Sequence, residues 1–489
     1  MCQELHTLGA VRQRQLLASG ELSPVALTSA YLARLDADGG ASGAFITVTA
    51  DRAMDRARAL ERQPSSTSRR GDLHEAPLWG MPFADKDLEP RADVPTSFGS
   101  RAFAGYVPEE SSPLVETMDA AGGISLGKTN TPEFGLPAYT ENAVAPPAVT
   151  PWGAGLGAGG SSGGAAAAVA AGLLPFAPGS DGGGSIRIPA SACGLVGLKP
   201  SRGRVPDGSG VGSLAGLPVS GPIARSTADA ALLLDGMIAR RRDGSQADRS
   251  ALTAPAGERS YLDALDVPLR KLRIGFNCWS PWSTEYKIAL DDEVAAVFEA
   301  AKEQLSRLGH ELVPVTPTDA PEYFDAFRTV WQAGASTIPL EGPELEALEP
   351  LTRWLVGVGR TKGAAELAAS LASLAAFERA IIRQYSDVDV VLTPTLAMTP
   401  RPLGWFDASD GERNFEQQCQ YTPYTSYVNV TGLPAITMPV GFANGLPAGV
   451  QAIGRPGDEA TLLRLSLQLE REFDWPSRYP PAWARAARP

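Results

Sequence analysis

Lys86, Ser161 and Ser185 are the residues of this sequence whose types and surroundings fit acyl-transfer chemistry. A serine hydroxyl accepts and donates hydrogen bonds at once, so Ser161 could pass a proton from Ser185 to a base. Lys86 follows the apolar run Leu78–Phe83. Burial beside such residues would lower the pKa of a lysine, because desolvation disfavours its charged form. A neutral Lys86 could then act as the general base.

Two aspartates next to Lys86 act against this hypothesis. Asp85 and Asp87 would raise the pKa of the lysine and hold its proton if their carboxylates faced the amine. A lysine near its reference pKa of about 10.4 would leave an enzyme almost inactive at neutral pH. The hypothesis therefore requires that both carboxylates point away or bind other groups.

A histidine base is the second interpretation. Gly159–Gly163 matches the G-x-S-x-G nucleophile elbow around Ser161, which needs a preceding strand and a histidine later in the chain. His310 is the only histidine downstream of this segment. It follows Gly309 at a predicted helix-to-strand junction, where we expect an exposed loop side chain. A Ser-His-Asp triad is therefore disfavoured.

Glycine is concentrated between Trp152 and Ser185, which indicates tight turns or backbone amides that face a ligand. Gly155-x-Gly157-x-x-Gly160 matches a dinucleotide-binding fingerprint, and Asp181 lies 21 residues further on. That fingerprint must follow a strand, whereas the preceding residues 145–151 contain three prolines. An NAD-dependent oxidoreductase is therefore the weakest of the three interpretations.

Hydrophobic periodicity predicts some of the elements that must position these residues. Ser23-Pro24 combines an N-cap with proline at the first helical position, which predicts the start of a helix. Further along, Lys271–Phe276, Asp291–Leu308 and Glu311–Val315 have the patterns of a strand, a helix and a strand. This order predicts a βαβ unit.

The C-terminal part adds antiparallel elements. Asp387–Leu392 has the composition of a buried strand. Ala435–Gly441 and Ala448–Ile453 flank Asn444-Gly445, a strong hairpin signal, and Glu459–Phe473 carries a helical apolar stripe. A βαβ unit and a hairpin together predict a mixed sheet. Segments near 63–71 and 240–260 are expected to be surface loops.

Composition limits the class of partner. The net charge of -12 disfavours nucleic acids and anionic membranes, which attract basic patches, so we expect a small-molecule ligand. No segment approaches the roughly 20 apolar residues of a membrane-spanning helix, and the N-terminus lacks an apolar signal region. A cytoplasmic protein is expected, and a homodimer is the assembly left open.

Cysteine and histidine usage argues against a metal site or a disulfide framework. The cysteines are far apart in sequence and no histidines cluster. Cys193 lies in an apolar helical context and is expected to be an ordinary buried cysteine. We therefore expect neither a metal nor another cofactor. The four cysteines are Cys2, Cys193, Cys278 and Cys419.

Several motifs in fixed order resemble the amidase signature family. The strongest are Leu78–Asp87, Gly127–Gly135, Gly159–Gly164 and Asp181–Pro189. The 24-residue interval between the two serines is similar to that of the family's serine pair. The core motif region is 78–235, and weaker likeness extends from about Ser23 to Phe473. The segment around Ser185 is similar to that of the nylon cyclic-dimer hydrolases of this family.

The resemblance implies an amidohydrolase built as a single α/β domain over residues 1–489, with a mixed sheet flanked by helices. It implies that Ser185 attacks an amide carbonyl to form an acyl-enzyme, and that Ser161 shuttles the proton to and from neutral Lys86. The Gly160-Ser161 peptide bond would be cis. The oxyanion hole would use backbone N–H groups of the Gly182–Ser185 loop, including Gly182, Gly183 and Gly184. The family often has a larger residue at the position of Gly182.

Other motif residues are expected to support the site rather than transfer protons. Asp181, Arg187 and Ser162 would anchor the loops that carry the serines, and Lys128 and Glu133 would have structural roles. Within the resemblance, a glutamine-hydrolysing subunit of an amidotransferase is the alternative to a free-standing amidase. The amide itself is left open by the sequence, because pocket walls come from variable segments.

Overall fold

Two β-sheets form the framework of the protein. The structure, a computed structural model, describes residues 5–63, 70–205, 214–238, 260–481 and 483. The strands are β1 (Phe45–Val48), β2 (Pro82–Lys86), β3 (Ile124–Thr129), β4 (Phe176–Asp181), β5 (Val196–Lys199), β6 (Val219–Ala224), β7 (Arg273–Phe276), β8 (Glu311–Pro314), β9 (Val390–Pro394), β10 (Ala435–Ala443) and β11 (Leu446–Ile453).

Eight of these strands form a large mixed sheet in the order β4-β6-β5-β10-β11-β9-β7-β8. The pairs of β7 with β8 and with β9 are parallel, and the other pairs are antiparallel. A separate three-stranded sheet has the order β1-β3-β2. The mixed sheet was predicted, whereas the small second sheet was not.

Helices flank both sheets. In the described residues they are α1 (Ala10–Ser19), α2 (Pro24–Asp38), α3 (Ala50–Glu61), α4 (Pro113–Ala120), α5 (Gly163–Ala170), α6 (Arg187–Ala192), α7 (Thr227–Met237), α8 (Tyr261–Ala264), α9 (Asp292–Arg307), α10 (Glu322–Ala335), α11 (Pro350–Gly359), α12 (Ala364–Gln384), α13 (Gly411–Tyr421), α14 (Ser426–Thr431) and α15 (Glu459–Phe473). Contacts of α6 with β5, β10 and β11 and of α9 with β10 and β11 cover the centre of the large sheet. The architecture is the expected α/β domain.

Local signals placed several elements correctly. Ser23 accepts a hydrogen bond from the N–H of Ala26 and caps α2. The βαβ unit is present as β7, α9 and β8, and α9 ends before Gly309, whose φ is 83°. The β10–β11 hairpin turns through Asn444 and Gly445, both with positive φ, as its turn type requires.

The small sheet buries the segment that ends in Lys86. All five residues of β2 are buried, and Lys86 is opposite Thr129 of the parallel strand β3. Leu78, Met81 and Phe83 are fully buried beside it. The apolar residues predicted to flank the lysine are therefore buried, as is the strand that carries it.

The predicted surface loops near 63–71 and 240–260 fall mainly on residues 64–69 and 239–259, which lie outside the described part of the chain. Within the ranges that are described, every helix is too short or too polar to cross a bilayer.

Candidate active site

Lys86 lies at the end of β2 with its side chain directed at two serines. Its Nζ donates to Ser161 Oγ at 2.8 Å and to Ser180 Oγ at 3.0 Å, and it is also 3.4 Å from the Ser180 carbonyl oxygen. Only 1% of Lys86 is exposed. A neutral amine in this position could instead accept the hydrogen of the Ser161 hydroxyl, so the contact serves either direction of proton transfer.

Burial lowers the pKa of Lys86 to about 7, against the raising effects of Asp181 and Glu89. Of its sequence neighbours, Asp85 accepts hydrogen bonds from Arg91 (2.6 Å) and Ser125 (2.7 Å). Desolvation therefore outweighs the nearby carboxylates at Lys86.

Asp87, the other acidic neighbour of Lys86, is also engaged elsewhere. Its carboxylate accepts from the hydroxyl of Ser97 at 2.6 Å and from the N–H of the same residue at 3.0 Å. Neither flanking aspartate forms an ion pair with Lys86 among the described residues, which meets the condition that the sequence imposed.

Ser161 lies between a cis peptide bond and the start of a buried helix. The Gly160-Ser161 bond is cis, as the resemblance implied. Thr140 fixes both sides of the serine: its Oγ1 donates to the carbonyl of Gly159 at 2.8 Å and accepts from the N–H of Gly163 at 3.2 Å. All eight residues of α5 are buried, so Ser161 rests on a rigid support.

Ser185 lies in the loop between β4 and α6. The N–H of Ser162 donates to the carbonyl of Ser185 at 3.2 Å, which joins the two serine-bearing segments. Ser162 Oγ also bonds the backbone of Ser180, as expected of a supporting residue. Ser185 is 7% exposed against 2% for Ser161. Within the described residues, the hydroxyls of Ser161 and Ser185 do not bond each other directly.

A buried ion pair holds the Ser185 loop. Asp181 and Arg187 form two hydrogen bonds of 2.9 Å, and both are fully buried. The remaining guanidinium hydrogens reach Thr425 O, Gln451 Oε1 and Asn429 Oδ1 at 3.0, 2.5 and 2.6 Å. All five donors of the guanidinium are thus used. Anchoring roles for Asp181 and Arg187 remain a prediction, with which these contacts are compatible.

The oxyanion expectation needs one correction, at Gly184. Its N–H donates to Asp181 Oδ1 at 2.6 Å and is therefore already engaged. The N–H groups of Gly182, Gly183 and Ser185 donate to no protein acceptor in the part of the chain that is described. Gly184 instead serves the backbone path: its φ is 130°, and a Cβ there would lie 2.5 Å from Thr425 Oγ1.

Four site residues were missed by sequence reasoning. Ser180 shares the glycine-rich motif with Asp181 and could have been noticed as a third hydroxyl. Thr425 precedes α14, Asn429 lies in α14 and Gln451 lies in β11, and all three are more than 200 positions from the loop that they hold. Asn429 and Gln451 lie within the weaker likeness that extends to about Phe473, and the sequence assigned no role to either.

Lys128 and Glu133, for which structural roles are expected, both bond to groups of the protein. Lys128 donates to the backbone carbonyl of Glu89. Glu133 accepts from the Ser100 hydroxyl at 2.6 Å and from the N–H of Glu349 at 2.9 Å.

His310 is buried, so the expectation of an exposed loop histidine is wrong. Its Nδ1 accepts from the N–H of Leu272 at 3.1 Å, and its Nε2 is 2.9 Å from Gln468 Oε1. Only 5% of the residue is exposed. The histidine therefore ties the end of α9 to the start of β7 and to α15, and it is not part of the serine site.

The dinucleotide interpretation also fails structurally. Residues 150–160 form turns and isolated bridges, and no strand of either sheet leads into Gly155.

Burial raises the pKa of the Cys193 thiol to about 12, as expected for an ordinary buried cysteine. Among the described residues, no group of three or more histidine, cysteine, aspartate or glutamate side chains is arranged to hold a metal ion.

A cavity next to the nucleophile loop gives Ser185 access to a ligand. It is bordered by Ser185 and Gly183 and otherwise mainly by apolar groups, including Trp282, Phe327 and Trp331. The site therefore combines an accessible serine, a buried hydroxyl–amine pair, free backbone N–H groups and a pocket.

Comparison with known proteins shows the family to which the chain belongs. A family model for Amidase matches residues 26–463. Putative amidase AmiB2 of Mycobacterium tuberculosis (strain ATCC 25618 / H37Rv) is 36% identical over 480 residues, with 98% of both chains covered. One subunit of a glutamyl-tRNA(Gln) amidotransferase, from Chloroflexus aggregans, is 34% identical over 506 residues, which covers 98% of this chain and 99% of that protein.

Among solved structures, that of 6-aminohexanoate cyclic dimer hydrolase matches with a TM-score of 0.86 and 29% identity, covering 98% of this chain and 99% of that one. The chain belongs to the amidase family, as its motifs predicted. It is an enzyme that hydrolyses the carbon–nitrogen bond of amides.

Proposed function

We propose that Ser185 is the nucleophile of this amide hydrolysis, Ser161 its proton relay and Lys86 the base. The observation that carries the proposal is the 2.8 Å contact between Lys86 Nζ and Ser161 Oγ, in a site that lowers the pKa of Lys86 to about 7. A substantial fraction of the lysine is then neutral at pH 7, as a general base must be.

In the first step, Ser185 Oγ bonds to the amide carbon as its proton moves to Ser161, which passes its own proton to Lys86. The carbon–nitrogen bond then breaks while Ser161 protonates the leaving nitrogen and recovers a proton from Lys86. Water attacks the resulting ester by the same relay and releases the carboxylic acid. The proposal requires the Ser185 hydroxyl to approach that of Ser161 when substrate binds, and catalytic contacts often tighten only then.

The negative oxygen of the tetrahedral intermediate would accept from the N–H groups of Gly182, Gly183 and Ser185. These groups have no protein acceptor among the described residues, whereas that of Gly184 is bound to Asp181. Each such donor contributes about 3 kcal/mol to the transition state in related chemistry.

The test is turnover of an amide by single and double variants. Ser185→Ala should abolish activity, and Lys86→Ala and Ser161→Ala should each lower kcat by about a thousandfold or more, without additivity in the double variant. Near-normal kcat in any of the three would remove that residue from the relay.

Lys199→Met is the matched control. Lys199 is equally buried and burial lowers its pKa to about 7, but its Nζ donates to the carbonyl of Pro200 at 2.9 Å and contacts neither serine. Turnover of this variant should fall far less than that of Lys86→Ala, because Lys199 contributes only to the charge balance around Asp181, with folding checked by circular dichroism. A loss equal to that of Lys86→Ala would show that any buried lysine is needed.

A glutamine-hydrolysing subunit is the second candidate, because of the likeness to the Chloroflexus amidotransferase chain. Steady hydrolysis of simple amides by the isolated chain, without a glutamine requirement, would argue against it.

We further propose that the enzyme acts alone or as a homodimer on small amides, without nucleic acid. The free thiols of Cys193, Cys278 and Cys419 are compatible with the reducing cytoplasm.

A further inference from the structure

The cavity beside Ser185 has aromatic walls. Phe327 stacks on Trp331 with ring centres 5.6 Å apart and planes 16° apart, and Trp282 meets Phe327 edge-on at 5.3 Å. Phe415 packs edge-on against Trp282 at 5.8 Å. These rings form a continuous apolar surface that reaches the nucleophile.

The polar side chains of the cavity already have partners inside the protein. Gln418 Oε1 accepts from the N–H of Ala138 at 2.8 Å, and its Nε2 donates to Asn414 Oδ1 at 2.6 Å. Ser426 Oγ accepts from Trp282 Nε1 at 3.0 Å. A ligand in the cavity would find these groups engaged, so the lining offers it mainly apolar contact.

None of the described residues that line the cavity carries a formal charge. Arg328 stacks near the ring of Phe415 but is not part of the lining, and its guanidinium is 2.6 Å from Glu412. Burial raises the pKa of the lining thiol of Cys419 well above its ordinary value, so that group stays neutral. A charged ligand group would be desolvated here without an ionic partner, which is costly.

The lining also indicates which half of an amide enters. It includes Ser185 and Gly183 but neither Ser161 nor Lys86. The leaving nitrogen must face Ser161 to receive its proton, so the other side of the carbonyl, which carries the acyl group, faces the cavity. This step rests on the proposed function, which assigns the roles of the two serines.

We propose that this cavity binds the acyl group of the substrate and selects an uncharged aromatic or branched apolar acid component. Trp331, which lines the cavity and stacks on Phe327, is the residue chosen to test this preference. A Cβ placed on Gly182 would be 3.5 Å from the Trp331 ring. The indole therefore lies directly beside the backbone of Gly182.

The experiment compares kcat/KM along two substrate series. In the acyl series the primary amides are benzamide, isobutyramide, acetamide, succinamate and glutamine. In the amine series the benzoyl group is kept and the amine is ammonia, methylamine or aniline. Benzamide should exceed acetamide by about tenfold or more, because the apolar pocket rewards added apolar groups. Succinamate and glutamine should fall about 100-fold below benzamide, since their charges would be buried unpaired.

Trp331→Ala should reduce the benzamide-to-acetamide ratio by about tenfold and leave the ranking of the amine series unchanged. Trp152→Ala is the control, because Trp152 is also half-buried but packs against Phe442 and donates to the carbonyl of Cys193, away from the cavity. A changed amine series with an unchanged acyl series would overturn the assignment of the cavity to the acyl group. A preference for succinamate or glutamine would overturn its apolar selectivity.

Binding to Ser185→Ala, measured by calorimetry, separates this inference from the mechanism. Benzamide should bind more tightly than acetamide or glutamine even without turnover, and Trp331→Ala in the same background should remove the difference. If the wild type cleaves amides but this binding order is absent, the cavity inference fails alone. If Ser185→Ala retains turnover, the proposed function fails instead.

Discussion

Arg187 binds Asp181 through two N–H···O bonds of 2.9 Å, and both side chains are fully buried. Burial acts to raise the pKa of Asp181, but Arg187, Lys199 and Asn429 together lower it to about 2. A bidentate pair of this kind fixes orientation as well as charge. The pair closes the loop that carries Ser185, so the position of the nucleophile depends on charge pairing as much as on packing.

Removal of the arginine should therefore be costly. Arg187→Met would leave the Asp181 carboxylate buried without its partner, and we expect the free energy of unfolding in urea to fall by about 3 to 5 kcal/mol. Arg270→Met breaks an equally short pair with Asp389 in which the arginine is exposed, and Asp389 keeps its pair with Arg455, so stability should change by no more than about 1 kcal/mol. Similar losses in both variants would mean that the buried pair has no special role.

The pH profile should follow Lys86. Since burial lowers the pKa of Lys86 to about 7, kcat/KM should rise with pH through that value and level off above it. Glu89 raises this pKa, so Glu89→Gln should move the inflection to lower pH. Glu303→Gln, which alters an exposed residue paired with Arg307, should leave it in place. An inflection that stays fixed in Glu89→Gln would argue against Lys86 as the titrating group.

The lowered pKa of Lys86 should also make the stability of the folded protein depend on pH. The folded pKa of Lys86, about 7, lies below its ordinary value of 10.5, so the folded state favours the neutral amine. The cost of burying the charged form grows as pH falls from 10.5 to 7 and is constant below that. Lys86→Met should therefore be at least as stable as the wild type at pH 5 to 6, while nearly inactive. Thermal melts across this range decide it, and a clearly less stable mutant at acidic pH would identify the lysine as a structural cation.

Activity should not depend on a metal ion. We expect turnover to survive prolonged incubation with EDTA, because the proposed relay needs only the two serines and the lysine. Loss of kcat in EDTA that added divalent ion restores would contradict this mechanism.

Sequence reasoning succeeded where the determining interactions are local. The turn at Asn444-Gly445, the stop at Gly309 and the span of Glu459–Phe473 depend on residues close in the chain, and all three are as predicted. The contacts that anchor the Ser185 loop are different, because Asn429 is 248 positions from Asp181. Propensity and periodicity carry no information on such pairs.

Burial was the other quantity that local patterns could not supply. His310 lies at the helix-to-strand junction expected of it, yet Leu272 and Gln468 enclose its ring. The hydroxyl of Ser180 reaches Lys86 only because β2 and β4, which belong to different sheets, pack together. The two residues lie 94 positions apart in different motifs, so the sequence gives no distance between them.

The location of the site across two sheets has a consequence for folding. Lys86 ends a strand of the three-stranded sheet, whereas Ser185 follows an edge strand of the eight-stranded sheet. The proposed proton path from the Ser185 hydroxyl to the Lys86 amine therefore runs from one sheet to the other. Recovery of turnover during refolding would therefore require both sheets to be formed and packed together, whereas circular dichroism reports only their secondary structure.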